Sequence, residues 1–137
     1  MTHDSTSSPL SDRVILVTGA GQGLGRACAL ALGARGATVV LLGRTTRKLE
    51  AVYDEIIAAG GPMPAIFPMD LEKAADADVD TLAHTLGYQM RRLDGIVHCA
   101  TAFETPSPIE AQEPSRWQSL FRVNVSAPFA INRACLG

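Results

Sequence analysis

The chain's 137 residues are enough for one domain with a real buried core. With 47% hydrophobic and 19% charged residues it has the composition of a soluble globular protein, and scarce aromatics beside abundant Gly and Ala favour close-packed α/β layers over an aromatic-rich β-sandwich. A net charge of −2 leaves no electrostatic footprint for nucleic acid, and no apolar run approaches membrane-spanning length.

The opening stretch, Met1 to Leu10, has neither the basic nor the apolar region of a secretory signal and is expected to be a flexible polar arm over residues 1–10. Arg13 to Thr18 is a short continuous apolar run, the pattern of a strand buried on both faces. Glycine-rich punctuation follows, then an Ala/Leu helix from Leu24 to Arg35, closed by Gly36. Ala37 to Leu42 is a second buried strand. Thr45 or Thr46 can cap the next helix, whose apolar residues Leu49, Val52, Tyr53 and Ile56 recur at helical spacing until Gly60-Gly61.

Ala65 to Met69 is a third strand, with Pro68 marking its end or an edge position. Val79, Leu82, Ala83, Leu86 and Met90 predict a third helix, and Gly95 to Cys99 a fourth strand. After a Thr- and Pro-containing loop from Thr101 to Pro108, Pro114 starts a last helix with an apolar face of Trp117, Leu120, Phe121, Val125 and Phe129. Strands alternating with helices imply an α/β fold: a Rossmann-type doubly wound parallel sheet, strand order 3-2-1-4, with right-handed crossovers. Cys28, Cys99 and Cys135 are odd in number and widely spaced, which points to reduced thiols in a cytoplasmic protein and away from a metal site.

Between the first strand and first helix lies Thr18-Gly19-Ala20-Gly21-Gln22-Gly23-Leu24-Gly25. Gly19 allows a sharp turn, Gly23 a close approach of backbone to a pyrophosphate, and Gly25 close packing of the helix. The helix N-terminus then offers its N–H groups and positive dipole end to the anion. This placement makes residues 11–137 a dinucleotide-binding domain with Gly19, Gly21, Gln22, Gly23, Leu24 and Gly25 on the ligand; the plainer alternative is a tight turn without one. Dinucleotide folds that take NAD(H) carry a carboxylate at the end of strand two. Here Gly43 and Arg44 stand there, which favours the 2′-phosphate of NADP(H), with Arg47 and Lys48 adding positive field. Arg44 could otherwise be a solvated residue at the helix start.

The T-G-x-x-x-G-x-G motif after strand one resembles the short-chain dehydrogenase/reductase family, from about Leu10 to the C-terminus. The resemblance implies carbonyl/alcohol hydride transfer on a small-molecule substrate, and a homo-oligomer in the full-length form. It places Asp70 and the Leu71 backbone at the adenine, although Asp70 alone reads as a helix N-cap. Ala100 would flank the adenosine half. Asn124, in Arg122-Val123-Asn124-Val125, would order a water in the proton relay; structurally it is an amide on an apolar face needing partners, near a kink that Pro128 makes reasonable.

The chain departs from the family where relatives carry Asn-Asn-Ala-Gly, since it reads His98-Cys99-Ala100-Thr101. Cys99 cannot supply the strand-tying amide bonds of that Asn, and plain burial describes it better than a nucleophile. The family's active Ser and Tyr-x-x-x-Lys follow the last helix, and Tyr53 and Tyr88 are followed four residues on by Ile57 and Arg92. The expectation is therefore an incomplete domain, truncated after the fifth-helix region. The alternatives are a non-catalytic dinucleotide-binding or assembly module and a truncated inactive fragment.

Overall fold

A computed structural model of the chain describes residues 8–136. Most of the arm expected over residues 1–10 lies outside the described residues. Its end does not: the Leu10 N–H donates to the Arg35 carbonyl at 3.0 Å, and the Leu10 side chain packs on the core. Four strands, β1 (Val14–Thr18), β2 (Thr38–Gly43), β3 (Ala65–Pro68) and β4 (Gly95–His98), form a parallel sheet in the order β3-β2-β1-β4. Between and after them run α1 (Gly23–Ala34), α2 (Thr46–Ala58), α3 (Asp76–Thr85), α4 (Pro114–Phe121) and α5 (Ala127–Cys135). The expected doubly wound order is the observed one.

The continuous apolar runs of β1 and β2 have a simple cause. Successive side chains of a strand point to opposite faces, and both faces here are covered. Val14 and Leu16 with Val40 and Leu42 pack against Val79 and Leu82 of α3 and Ile131 of α5. Ile15 and Val17 with Val39 and Leu41 pack against Ala29 of α1 and Leu49, Val52 and Ile56 of α2. β3 lies at the edge, where Pro68, which lacks an N–H, interrupts no second ladder. Thr45 occupies the N-cap position of α2, but its side chain makes no capping bond.

Asp94 pins the start of β4 to the start of β1. Its carboxylate accepts the Val14 N–H at 2.8 Å and two bonds from Arg92, with Arg13 at 3.6 Å. The bond from Arg92 first, and then that from Val14, hold this carboxyl down to about 2.

Two helices depart from regularity. α3 widens into a π turn over Leu86–Met90 and stops at Arg91, which has φ of 63°. The last predicted helix is α4 and α5 joined by a π turn, Arg122–Ser126. That turn, and not Pro128 alone, is the irregularity, although Pro128 contributes by offering no N–H to the Asn124 carbonyl four residues back. The expected apolar face is corrected accordingly. Val123, Ala127 and Ile131 are buried, whereas Trp117, Phe121, Val125 and Phe129 are exposed, with the Trp117 and Phe121 rings stacked at 5.3 Å. The four side chains still form one stripe across the wide turn, but it faces solvent, and α4 buries no residue at all.

Candidate functional site

The loops leaving β1, β2, β3 and β4 meet around a cavity of 540 Å³ at the C-terminal end of the sheet. Such a position is where open α/β sheets hold ligands. Gly19, Gly21, Gln22, Gly23, Leu24 and Gly25 form one wall, Arg44 and Lys48 another, Asp70 and Leu71 a third, and Ala100 to Phe103 a fourth.

The glycine loop owes its shape to two close approaches and one open space. A Cβ on Gly19, whose φ is +62°, would lie 2.7 Å from the Ala100 backbone nitrogen, and one on Gly25 would lie 2.0 Å from the Gly19 carbonyl oxygen. Gly25 therefore lets α1 pack closely, as expected, and the surface it closes onto is the loop itself. Gly23 has φ of +58° and nothing within 4 Å of its would-be Cβ. Its lack of a side chain keeps backbone accessible from the cavity. The first amide of α1 to find a helical acceptor is that of Arg26, bonded to Gln22 O at 3.2 Å. Among the described residues, the N–H groups of Gly23, Leu24 and Gly25 have no bonded partner, no side chain caps the helix and its first turn holds no carboxylate. This is an electropositive, donor-rich helix mouth.

Arg44 is exposed at the cavity wall and makes no ion pair among the described residues. Lys48 joins it, its ammonium bonded to the Gln22 side-chain oxygen, which ties α2 to the glycine loop. Arg47, expected to add to the same field, is not on the wall. Asp70 is not the N-cap of α3, which begins six residues later after Ala75. Its Oδ1 instead accepts the Glu72 N–H at 3.0 Å, closing a local turn that presents Asp70 and Leu71 to the cavity.

The variant His98-Cys99-Ala100-Thr101 is accommodated by a residue whose role sequence reasoning missed. Thr18, 1% exposed, accepts both the Cys99 and the Ala100 N–H on its Oγ1, each at 3.1 Å. His98 Nε2 donates to Asn132 Oδ1 on α5 at 2.8 Å. Among the described residues no buried side-chain nitrogen or oxygen lacks a partner. Burial, and then the neighbouring Cys28, push the Cys99 thiol up, a direction that suppresses the thiolate a nucleophile requires.

Asn124 stands outside the cavity wall and is exposed, which corrects its expected place on the buried apolar face. Its amide holds one residue at both ends: Oδ1 accepts the Ala102 N–H at 2.9 Å, and Nδ2 donates to the Ala102 carbonyl at 2.6 Å. The partners that an amide needs are thus backbone groups of the fourth wall. Val123, one residue away, lines the cavity directly, as do Glu72 and Arg116. None of these three was singled out as a cavity residue from sequence: Val123 and Arg116 arrive from the last helical stretch, far along the chain, and Glu72 was passed over beside Asp70 and Leu71.

The profile of the short chain dehydrogenase family matches residues 13–137. An uncharacterised oxidoreductase of Escherichia coli K12, YciK, is 39% identical over 127 residues, covering 93% of this chain and 50% of its own length. A short chain dehydrogenase from Shigella flexneri 2a, solved in complex with NADP, superposes with a TM-score of 0.90 at 38% identity, over 95% of this chain and 54% of that one. One from E. coli CFT073, solved with NADPH, gives a TM-score of 0.89 at 39% identity, over the same shares. The chain spans about half the length of the curated relatives it matches. On its glycine loop, its strand order and this match, the chain belongs to the short chain dehydrogenase family.

Proposed function

We propose that this chain forms the NADP(H)-binding part of an oxidoreductase that moves hydride between the nicotinamide and a small-molecule carbonyl or alcohol. The observation that carries this reading is the pairing of an uncapped helix mouth at Gly23 with two cations on the cavity wall, Arg44 just after β2 and Lys48 in the first turn of α2. The pyrophosphate would lie against the Gly23, Leu24 and Gly25 N–H groups, where a Cβ on Gly23 meets nothing. Arg44 would hold the 2′-phosphate, helped by Lys48; NAD(H) would leave both cations without an anion to meet. Asp70 and Leu71 would meet the adenine, and Ala100 the adenosine ribose side.

When bound, the cofactor supplies the hydride chemistry. Asn124, by fixing Ala102, would set the loop beside the reacting end, and its backbone carbonyl, to which Pro128 offers no N–H, would hold a water for proton transfer. The unpaired thiols of Cys28, Cys99 and Cys135 support the cytoplasm as compartment. The exposed stripe of Trp117, Phe121, Val125 and Phe129 supports a homo-oligomer in the full-length form. It equally favours a second reading, a dinucleotide-binding or assembly module without turnover. Carbonyl-dependent oxidation of NADPH by the chain would reject that second reading, and binding without turnover would support it.

Titration with NADPH and NADH tests the cofactor assignment. NADPH is expected to bind more tightly, and Arg44→Ala to weaken NADPH alone by about ten- to a hundredfold, the worth of one charge-assisted contact. Equal affinities for the two cofactors would overturn it.

A further inference from the structure

We propose that Arg116 is a positioning residue of the cofactor cavity, holding the loop after β3 and the loop after β4 at a fixed separation through Glu72 and Glu104. The inference rests on the cavity taking NADP(H). Arg116 projects from α4, and its guanidinium reaches both loops. Nη1 lies 3.2 Å from Glu72 Oε1, and Nε bonds Glu104 Oε1. Glu72 lines the cavity beside Asp70 and Leu71, and Glu104 is the next residue after the fourth wall, Ala100 to Phe103. The Glu72 N–H is bonded to Asp70 Oδ1, so Glu72 and the adenine-side turn move together. Glu104 lies two residues beyond Ala102, which Asn124 holds.

Among the described residues no other side chain joins these two loops by a hydrogen bond or ion pair. The segment from Thr101 to Pro108 has no regular structure, so Glu104 is a second tether for it on the cavity side, beside Ala102. The bond to Glu104 pushes the guanidinium pKa further up.

Each pair is partly exposed and weak by itself. Losing the shared cation has a larger consequence. Two carboxylates would then sit on opposite lips of a cavity built for a polyanion, repelling each other and the incoming phosphates. The expected effect of Arg116→Met is about a fivefold weaker affinity for the cofactor.

Fluorescence titration of the chain with NADPH and NADH tests this, on Arg116→Met, Arg116→Lys, Glu104→Gln, and Arg116→Met placed in a Glu72→Gln/Glu104→Gln background. Arg116→Met should weaken both cofactors alike, because the lips flank the adenosine half common to them. Arg116→Lys should recover part of the loss by meeting one carboxylate, and Glu104→Gln should cost less than Arg116→Met. In the double-Gln background Arg116→Met should change nothing further. Wild-type affinity in Arg116→Met would overturn the proposal, as would a loss confined to NADPH, or an undiminished loss in the double-Gln background; either of the last two would mean direct contact with ligand. Failure of the wild-type chain to bind either cofactor would instead remove the cofactor reading itself, and this proposal with it.

Discussion

Thr18→Val replaces a hydroxyl by a methyl of nearly the same size and removes the one acceptor that serves the Cys99 and Ala100 N–H groups. A buried donor left unpaired costs about 1–3 kcal/mol. The two bonds here share one oxygen, and Cys99 and Ala100 are only partly buried, so water can serve them in part. The total expected is about 2–3 kcal/mol. With a urea slope of about 1.5 kcal/mol per molar, typical of a small domain, the unfolding midpoint should fall by about 1.3–2 M. Thr18→Ser is the control, since it keeps the oxygen and loses one methyl, at about 1 kcal/mol. Hydrogen exchange adds a local measure: the Cys99 and Ala100 amides should lose protection in Thr18→Val and keep it in Thr18→Ser. If Val destabilises no more than Ser, and the two amides stay protected, Thr18 is not what compensates for the missing Asn.

Gly23→Ala should cost about 1–2 kcal/mol of stability for a left-handed alanine, yet lose most NADPH binding, because the methyl would occupy the space where backbone must meet the pyrophosphate; calorimetric titration beside a melting curve separates the two effects. Asp94 titrates lower when folded, at about 2, than the roughly 4 of an unfolded chain, so its stabilisation is full above about pH 5 and drains away as pH falls toward 2. The urea midpoints of wild type and Asp94→Asn should accordingly be furthest apart near neutrality and converge in acid; a constant gap would contradict this. Asn124→Ala should speed hydrogen exchange at the Ala102 amide while lowering stability by about 1 kcal/mol or less, since the loop is exposed.

Much of the site was legible in the residues because its signals are local. The alternation of β1 and β2 between two covered faces made their apolar runs continuous, and the glycine loop lies within eight consecutive positions. Arg44 was found from its distance to those glycines. What stayed hidden depended on residues meeting from afar. Thr18 is separated by about eighty positions from the amides it serves, and Arg116 by 44 from Glu72. The face of the last helix was misjudged for a different reason: helical spacing marks an apolar stripe but not what covers it, and this stripe is exposed on both sides of the wide turn. Arg47 lies three positions from Arg44 and still falls outside the cavity wall, because both lie where strand gives way to helix and the chain changes direction.

The wide turn at Arg122–Ser126 makes the site sensitive to chain length as well as to residue identity. Each helical residue advances the axis by about 100°. The wide turn absorbs one such step, so deleting one residue there would restore ordinary winding and leave everything upstream in place. Inserting a further regularly wound residue would instead swing α4 through roughly that angle, and Arg116 would then point away from both its carboxylates with no contacting side chain altered. A one-residue gap in this stretch should thus be tolerated where a one-residue insertion is not.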